Sequence, residues 1–226
     1  MTIKSTTRPV CNAVHKLIRR KPQQARGQLR VDEILDATER LTQTMSWDKL
    51  STNHIAKEAG IPIGSLYQFF ANKHAIAHAL VERYMLSIEE AFAKLPKDIE
   101  TMTPADLINA LFDSLLIVTE KHNGFHAMLI QTNEESEIGK VSAPIRELLR
   151  SSIERMLAAR APWMSAEERR IHAFVSHVAC RAVFAQAISL NTRGEKATAQ
   201  RLLQQARVMQ TAYYDHLLQE HEATIS

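Results

Sequence analysis

Three polar side chains, Ser65, Tyr67 and Gln68, surround an apolar pair in the first third of the chain. The pair consists of Leu66 and Phe70, which are separated by four residues and therefore share one face of a helix. Because these two side chains can pack inward, the three polar ones are left to face outward. Their hydroxyl and amide groups can then donate and accept hydrogen bonds with a polar partner.

The surrounding segment, residues 51–73, predicts two short helices joined by a tight turn. Ser51 is a favourable N-cap for the first helix, and Gly60 supplies a residue at which a helix ends. Pro62 is favoured where the next helix begins. The first helix carries an apolar strip at helical spacing, made of Ile55, Ala56 and Ala59. Helix, turn and helix in this order describe a helix-turn-helix motif, whose second helix enters the major groove of DNA.

Residues 28–85 resemble the DNA-binding region of the TetR family of bacterial repressors. The family pattern has a Thr-rich helix start, then IAxxAGV, GxLYxYF and a lysine, and this chain reads STNHIAKEAGIPIGSLYQFFANK. The match continues upstream into ILDATERLTQTMSWDKL and downstream into HAIAHALVERY.

The resemblance implies an all-α fold, with a three-helix DNA-binding domain followed by a larger helical domain for ligand binding and dimerisation. We expect a basic arm at residues 1–26, the DNA-binding domain at 27–73 and the helical domain at 74–226.

The family motif, matched residue by residue, implies a set of DNA contacts. Thr52, Tyr67 and Lys73 are expected to bind phosphate, and the Asn53 amide can read the edge of an adenine. The complete set is Thr52, Asn53, Ile63, Gly64, Ser65, Tyr67, Gln68, Phe69 and Lys73.

Three residues at the start of the second helix have expected roles of their own. Ile63 offers an apolar surface suited to a thymine methyl group. Gly64 permits close approach of the backbone to DNA. Ser65 can bind either a base or a phosphate.

Phe69 departs from the family pattern, which usually has Tyr or His at this position. Phe cannot donate a hydrogen bond to phosphate, so it either packs against sugar or leaves one contact missing. Residues 1–30 contain eight Lys and Arg residues and no Asp or Glu. This segment is either an arm that contacts DNA and offsets the loss or a solvated tail. The first alternative predicts that deleting residues 1–25 weakens binding and flattens its salt dependence.

Composition is typical of a globular protein, with 226 residues, 45% hydrophobic residues and a net charge of +3. No unbroken apolar run approaches the roughly 18 residues of a membrane helix, and the N-terminus lacks the apolar core of a signal peptide. The two cysteines, Cys11 and Cys180, form neither a disulfide framework nor a zinc spacing. We therefore expect a cytoplasmic protein.

The remainder of the chain predicts helices only. Long helices are expected near residues 28–45, 72–94, 142–160, 165–190 and 195–220, with Gly124 as a break and residues 134–139 as a polar connection. Apolar and aromatic side chains on these helices could line an effector cavity, or they could be ordinary core. The candidates are Met85, Phe112, Phe125, Met128, Met156, Phe174, His177 and Phe184.

The last two helices predict a helical hairpin. In the resembled family these helices form the dimer interface, as two hairpins meeting in a four-helix bundle; the alternative is packing within one chain. The expected interface residues are Ile171, Val175, Val178, Ala182, Ala185, Leu202, Ala206, Met209 and Tyr213.

No pattern indicates an enzyme, a cofactor or a metal site. The pairs His74–His78 and His122–His126 lack further ligands at fixed spacing, and the chain has neither a nucleophile elbow nor a phosphate loop. The resemblance implies a homodimeric regulator that acts as a repressor, binds a palindromic DNA operator and is released by a small apolar or amphipathic effector. The alternatives are a ligand-insensitive architectural DNA-binding protein and a helical enzyme.

Overall fold

The computed structural model describes residues 25–96, 101–131 and 133–225. The predicted basic arm lies outside these residues except for its last two, as does Cys11. The all-α prediction is confirmed, because the regular secondary structure of the described ranges consists of helices.

Ten α-helices and one 3-10 turn occupy the described residues. They are α1 (Ala25–Thr42), the 3-10 turn Trp47–Lys49, α2 (Thr52–Glu58), α3 (Ile63–Phe69), α4 (Lys73–Phe92), α5 (Pro104–Lys121), α6 (Asn123–Gln131), α7 (Glu137–Val141), α8 (Ala143–Arg160), α9 (Ala166–Thr192) and α10 (Lys196–Ile225).

These helices pack into two compact units. The first contains the described residues up to Leu86 together with residues 122–142, and the second contains residues 87–121 and 143–226. The helix-turn-helix is therefore packed with α6 and α7, which follow it by more than fifty residues in the sequence. The predicted domain boundary at residue 73 stays a prediction.

An apolar core holds the three N-terminal helices of the first unit together. Ile34, Ile55, Leu66 and Phe70 have no solvent-exposed surface, so each short helix contributes at least one fully buried side chain. Trp47 and Leu50, which lie between α1 and α2 in the sequence, are also buried. Helices of seven residues are marginal in isolation, and this burial is what stabilises α2 and α3.

One sequence expectation for this part of the chain is shifted and another is wrong. The helix break predicted at Gly124 lies two residues earlier, because α5 ends at Lys121 and α6 begins at Asn123, with Gly124 in its first turn. Residues 137–141 form a helix where only a polar connection was expected. The hydroxyl oxygen of Ser136 caps this helix by accepting a hydrogen bond from the Gly139 amide, which satisfies a donor that would otherwise be unpaired.

The second unit is built on the expected hairpin of α9 and α10. Gly194 lies in the connecting turn with φ 83°, a conformation that favours glycine. A capping box of Ser165 and Glu168, whose spacing of three residues is typical of this motif, is present at the start of α9. Arg207 joins α10 to α5, because its guanidinium contacts Asp113 at 2.5 Å.

α9 is also long and apolar enough to cross a membrane by length and composition alone. The core helix of a soluble protein passes the same test, so one such helix does not establish a membrane span.

Candidate nucleic-acid interface

Local contacts fix the angle between α2 and α3. The Ser51 hydroxyl accepts a hydrogen bond from the His54 amide at 3.2 Å, which starts α2. Gly60 ends it with φ 67°, and the Ile61 amide donates back to the Ala56 carbonyl at 3.0 Å. This pattern closes the turn without leaving backbone groups unpaired, and it directs the chain into Pro62, the N-cap of α3.

The buried pair in α3 determines which side chains face outward. Leu66 and Phe70 are completely buried, as the sequence predicts. The opposite face is exposed and consists of Ile63, Gly64, Tyr67 and Gln68. Ile63 and Tyr67 expose 37% and 42% of their surface, which is high for large apolar side chains. An exposed helix face of this composition is available to a partner.

A hydroxyl pair bridges the two helices of the motif. Thr52 Oγ1 at the start of α2 lies 3.0 Å from Tyr67 Oη on α3. Both hydroxyls retain lone pairs or a proton for a further partner. Two such groups side by side can bind phosphate oxygens, which position a protein on DNA.

Lys73 has a structural contact that the sequence does not indicate. Its Nζ donates a hydrogen bond to the Trp47 carbonyl oxygen at 2.9 Å and lies 5.1 Å from the centre of the Trp47 ring. The ammonium group has two further N–H donors, so this contact is compatible with the expected phosphate contact. That phosphate contact stays a prediction. A substitution of Lys73 would therefore remove a contact that holds α4 to the 3-10 turn.

The remaining predicted DNA contacts are distributed around this face. Asn53 is exposed on α2, whereas Ser65 and Phe69 are half-buried at the edges of the exposed face of α3. The side chain of Phe69 brings no polar group to this surface.

A polar network lies beneath the motif, and sequence reasoning missed it. Oε1 of Glu39 accepts hydrogen bonds from Nδ1 of His122 at 2.9 Å and from Arg83 Nη2 at 2.7 Å. Burial raises the pKa of Glu39, but the hydrogen bonds and charges of His122 and Arg83 outweigh it and hold the pKa below its ordinary value. These three side chains join α1, α4 and the start of α6.

A second buried pair lies next to this network. The Tyr84 hydroxyl contacts Nδ1 of His126, and the Tyr84 ring meets Phe125 edge-on with centroids 5.8 Å apart. Burial and the neighbouring His122 lower the pKa of His126 from 6.5 to about 3. His126 is consequently neutral at physiological pH, and its Nδ1 can accept a hydrogen bond from the Tyr84 hydroxyl, whose own pKa is raised by burial.

A third polar contact joins α7 to the 3-10 turn and to the start of α4. Oε1 of Glu137 accepts a hydrogen bond from the Trp47 indole at 3.2 Å and contacts Nδ1 of His74 at 2.8 Å. Ninety residues separate Trp47 from Glu137 in the chain, so no local pattern could have predicted this contact. In the described ranges, no three or more His, Cys, Asp or Glu side chains group to hold a metal ion.

The predicted effector-pocket residues are divided between the two units. Met85, Phe125 and Met128 belong to the first unit. Phe112, Met156, His177 and Phe184 are buried in the second, where the rings of Phe112 and Phe184 lie 5.7 Å apart.

Phe174 is a correction to the predicted pocket. Its side chain is 52% exposed because the buried face of α9 carries Ala173, Ser176 and His177 instead. Phe174 lies on the opposite face and lines an open groove of about 380 Å³ with Ile171 and Val175.

Several residues predicted for a dimer interface lie on an exposed apolar face. Ile171, Val175 and Val178 on α9, and Met209 on α10, are between 45% and 55% exposed. Ala182 is also exposed, and Ala185, Leu202 and Tyr213 are partly buried. Val208, which the periodicity did not single out, is 54% exposed.

Ala206 is a correction to this set. It is 3% exposed and packs inside its own unit, since it lies on the face of α10 that carries Gln210 and Tyr214 inward. A small side chain at helical spacing can pack either within the chain or against a second copy, and the sequence pattern does not distinguish these two cases.

Two protein-family models match the chain. Residues 34–80 match the model described as bacterial regulatory proteins, tetR family. Residues 103–213 match the model described as tetracyclin repressor-like, C-terminal domain. The two matches cover the helix-turn-helix and most of the second unit.

A curated relative is the uncharacterised HTH-type transcriptional regulator YvdT of Bacillus subtilis, 28% identical over 102 residues, which are 45% of this chain and 50% of YvdT. The chain thus spans about half the length of this relative.

Solved structures share the fold at low identity. A TetR-like regulator from Rhodococcus has a TM-score of 0.61 at 20% identity, covering 85% of this chain and 99% of that one. The SmeT–triclosan complex has a TM-score of 0.63 at 18% identity, covering 82% and 91%. FadR of Bacillus subtilis in complex with stearoyl-CoA has a TM-score of 0.56 at 16% identity, covering 76% and 95%.

Proposed function

Because the chain belongs to the TetR family of DNA-binding transcriptional regulators, we propose that it is a homodimeric, cytoplasmic repressor of a palindromic operator. The observation that carries this proposal is the exposed face of α3 beside the Thr52–Tyr67 hydroxyl pair. This face combines outward apolar and amide groups for bases with hydroxyl groups for phosphates, the two kinds of contact that DNA recognition requires.

The exposed apolar face of the hairpin supports a homodimer. Ile171, Phe174, Val175 and Val178 follow one another at helical spacing on α9. Continuous exposed apolar surface is unfavourable in water and marks an interaction site. A second copy offers the same surface, which makes a two-fold interface self-complementary and matches a palindromic operator.

We further propose an apolar or amphipathic effector. The second unit contains the buried aromatic pair of Phe112 and Phe184, with the Arg207 guanidinium 5.2 Å from the centre of the Phe112 ring. An aromatic pair beside one charged group suits a ligand that is largely apolar with a polar end. Triclosan and stearoyl-CoA, the ligands in the SmeT and FadR complexes, have this character. The effector is expected to bind the DNA-free state more tightly and so shift the population away from DNA.

The first test is fluorescence anisotropy with the DNA that flanks this protein's own gene, at two salt concentrations, against a shuffled duplex. Tyr67→Phe removes only one hydroxyl, and it should weaken operator binding about tenfold, the loss expected for a hydrogen bond to a charged group. Gln200→Ala is the control, because Gln200 is an exposed residue of α10.

The outcomes of this test separate the alternatives. Selective binding that Tyr67→Phe weakens and Gln200→Ala does not would support the regulator. Equal binding to both duplexes would favour an architectural DNA-binding protein. No binding at either salt concentration would contradict the proposal and reopen the possibility of a helical enzyme.

The effector is tested on the same complex. Fatty acyl and chlorinated phenolic compounds are added to the bound operator, and anisotropy reports release. Phe184→Ala should weaken the response to an active compound while operator binding without it is retained. A compound that releases DNA equally from both proteins would place the effector elsewhere.

A further inference from the structure

The exposed face of α3 contains no charged side chain. Its seven residues, Ile63–Phe69, include neither a basic nor an acidic residue. Guanine is most often read in the major groove by Arg or Lys, which contact two acceptors on its edge. A recognition helix without either residue lacks the commonest means of reading guanine.

Two basic side chains near the motif, Arg40 and Lys73, already bind partners within the first unit. The Arg40 Nε contacts the Glu58 carboxylate at 2.7 Å, and Lys73 Nζ is bound to the Trp47 carbonyl oxygen. Lys57 is exposed, but it belongs to α2, and the first helix of such a motif crosses the DNA backbone. Its charge therefore serves phosphate contacts, which are the same for every sequence.

Because Tyr67 is paired with Thr52, few side chains of α3 remain to contact base edges. Because the Tyr67 hydroxyl lies 3.0 Å from Thr52 at the junction of the helices, it is placed for phosphate. The exposed residues that remain for base edges are Ile63, Gly64 and Gln68. Within α3, base selectivity therefore rests on these three positions, whereas Ser65 is half-buried and Asn53 belongs to α2.

The chemistry of these positions favours A·T pairs. The Ile63 side chain can contact the thymine methyl group, and a Gln amide can both accept from N6 and donate to N7 of adenine. Gly64 has space around it, since a Cβ atom built there would meet no atom within 4 Å. Neither its packing nor a positive φ requires glycine, and the missing side chain lets a base edge come close to the backbone.

We propose that α3 reads its half-site as A·T base pairs, through a thymine methyl group at Ile63 and an adenine edge at Gln68. This inference rests on the proposed function and extends it by naming the bases that the recognition helix selects. It predicts an operator whose central contact positions do not contain an obligatory guanine.

The test begins with selection of bound duplexes from a random library by the full-length protein. In the selected duplex, thymine is then replaced by uracil at one position at a time, which removes only the methyl group. At the position that faces Ile63, this replacement should weaken wild-type binding about fourfold, as expected for one buried methyl group. Anisotropy at constant salt measures the change.

Matched variants assign each base to its side chain. Ile63→Ala should bind the thymine and uracil duplexes equally, and Gln68→Ala should lose the preference for adenine at one base pair. Ile117→Ala and Gln200→Ala are the controls, because these residues are exposed on α5 and α10. Both controls should keep the wild-type uracil sensitivity.

Three results would overturn the proposal. The first is a wild-type protein that tolerates uracil at every thymine of the half-site. The second is selection of guanine at a position whose preference Ile63→Ala or Gln68→Ala relaxes. The third is loss of a guanine preference in Lys57→Ala, where uniformly weaker binding is expected. A protein that enriches no sequence at all would instead contradict the proposed function, so the two failures are distinguishable.

Discussion

Nδ1 of His122 lies 2.9 Å from Oε1 of Glu39 and donates a hydrogen bond to it, across 83 residues of sequence. His122 is almost completely buried, and Arg83 contacts the same carboxylate oxygen at 2.7 Å. An acceptor shared by two donors on different helices ties α1, α4 and α6 into the first unit. Buried charged groups are stable only while each keeps its partner.

Glu39→Gln should destabilise the first unit by about 3 kcal/mol, because it removes the negative charge from an ion pair whose Arg83 and Glu39 side chains are only 22% and 13% exposed. Asp36→Asn is the matched control, since Asp36 contacts the same Arg83 at 2.6 Å but its side chain is 57% exposed. An exposed pair is worth less than about 1 kcal/mol. Urea unfolding measures both variants, and equal losses would show that burial of Glu39 does not matter.

Stability should fall as the pH drops below 6.5, because His126 binds its proton in the unfolded chain before it does so in the folded one. Its pKa is lowered from 6.5 to about 3, so the stabilisation is complete above 6.5 and is lost between these values. The slope is at most about 1.4 kcal/mol per pH unit for one proton. Glu39 adds a loss in the same direction below its ordinary value of 4.5.

The pH dependence is measured by urea unfolding between pH 7 and pH 5, where the His126 contribution precedes that of Glu39. His126→Gln should flatten the curve, and His54→Gln serves as the control because His54 is exposed. An unchanged slope in His126→Gln would mean that another group takes up the proton.

Gly124→Ala should destabilise the protein by about 1 to 3 kcal/mol, the usual cost of inserting a methyl group into a packed site. A Cβ atom at this position would clash with the Glu39 carbonyl oxygen and lie 2.7 Å from Cγ of Gln43. The first turn of α6 could then not approach α1 as closely. Thermal unfolding tests this, and a melting temperature equal to that of wild type would show that the contact gives way at no cost.

Gly64→Ala should have opposite effects on stability and on DNA binding. Because no atom lies within 4 Å of the added Cβ, the variant should fold as well as wild type or better, by up to about 1 kcal/mol. The same methyl group would stand between α3 and a base edge, and operator affinity should fall. Unfolding and anisotropy are measured on one preparation, and full affinity in a correctly folded variant would contradict close approach at Gly64.

Val175→Asp should convert a dimer into a monomer, because it places a charge in the proposed apolar interface. Val175 is 46% exposed, and Ile117, at 65% exposed on α5, provides the control Ile117→Asp. Sedimentation velocity measures the oligomeric state, and anisotropy with full and half operators measures its consequence. If Val175→Asp remains a dimer and Ile117→Asp becomes a monomer, the interface would instead include α5.

The sequence by itself determined the helix-turn-helix and the side chains on its outer face. Ser51, Gly60, Leu66 and Phe70 act over four residues or fewer, through capping, a left-handed turn and helical spacing, and such local effects can be read from the chain. The long helices and the capping box of α9 follow from the same rules. Ile63 and Gln68 are exposed because they lie on the face of α3 that is opposite the buried Leu66 and Phe70.

Only the tertiary structure decided which partners meet across long separations. It placed Lys73 on Trp47, Glu39 on His122 and α1 against Gly124, none of which follows from spacing. It also placed Phe174 outside and Ala206 inside, because two faces of a long apolar helix read alike until the packing of its neighbours is known. The periodicity of a sequence predicts that one face of a helix is apolar. Only the tertiary structure determines whether another helix of the same chain covers that face.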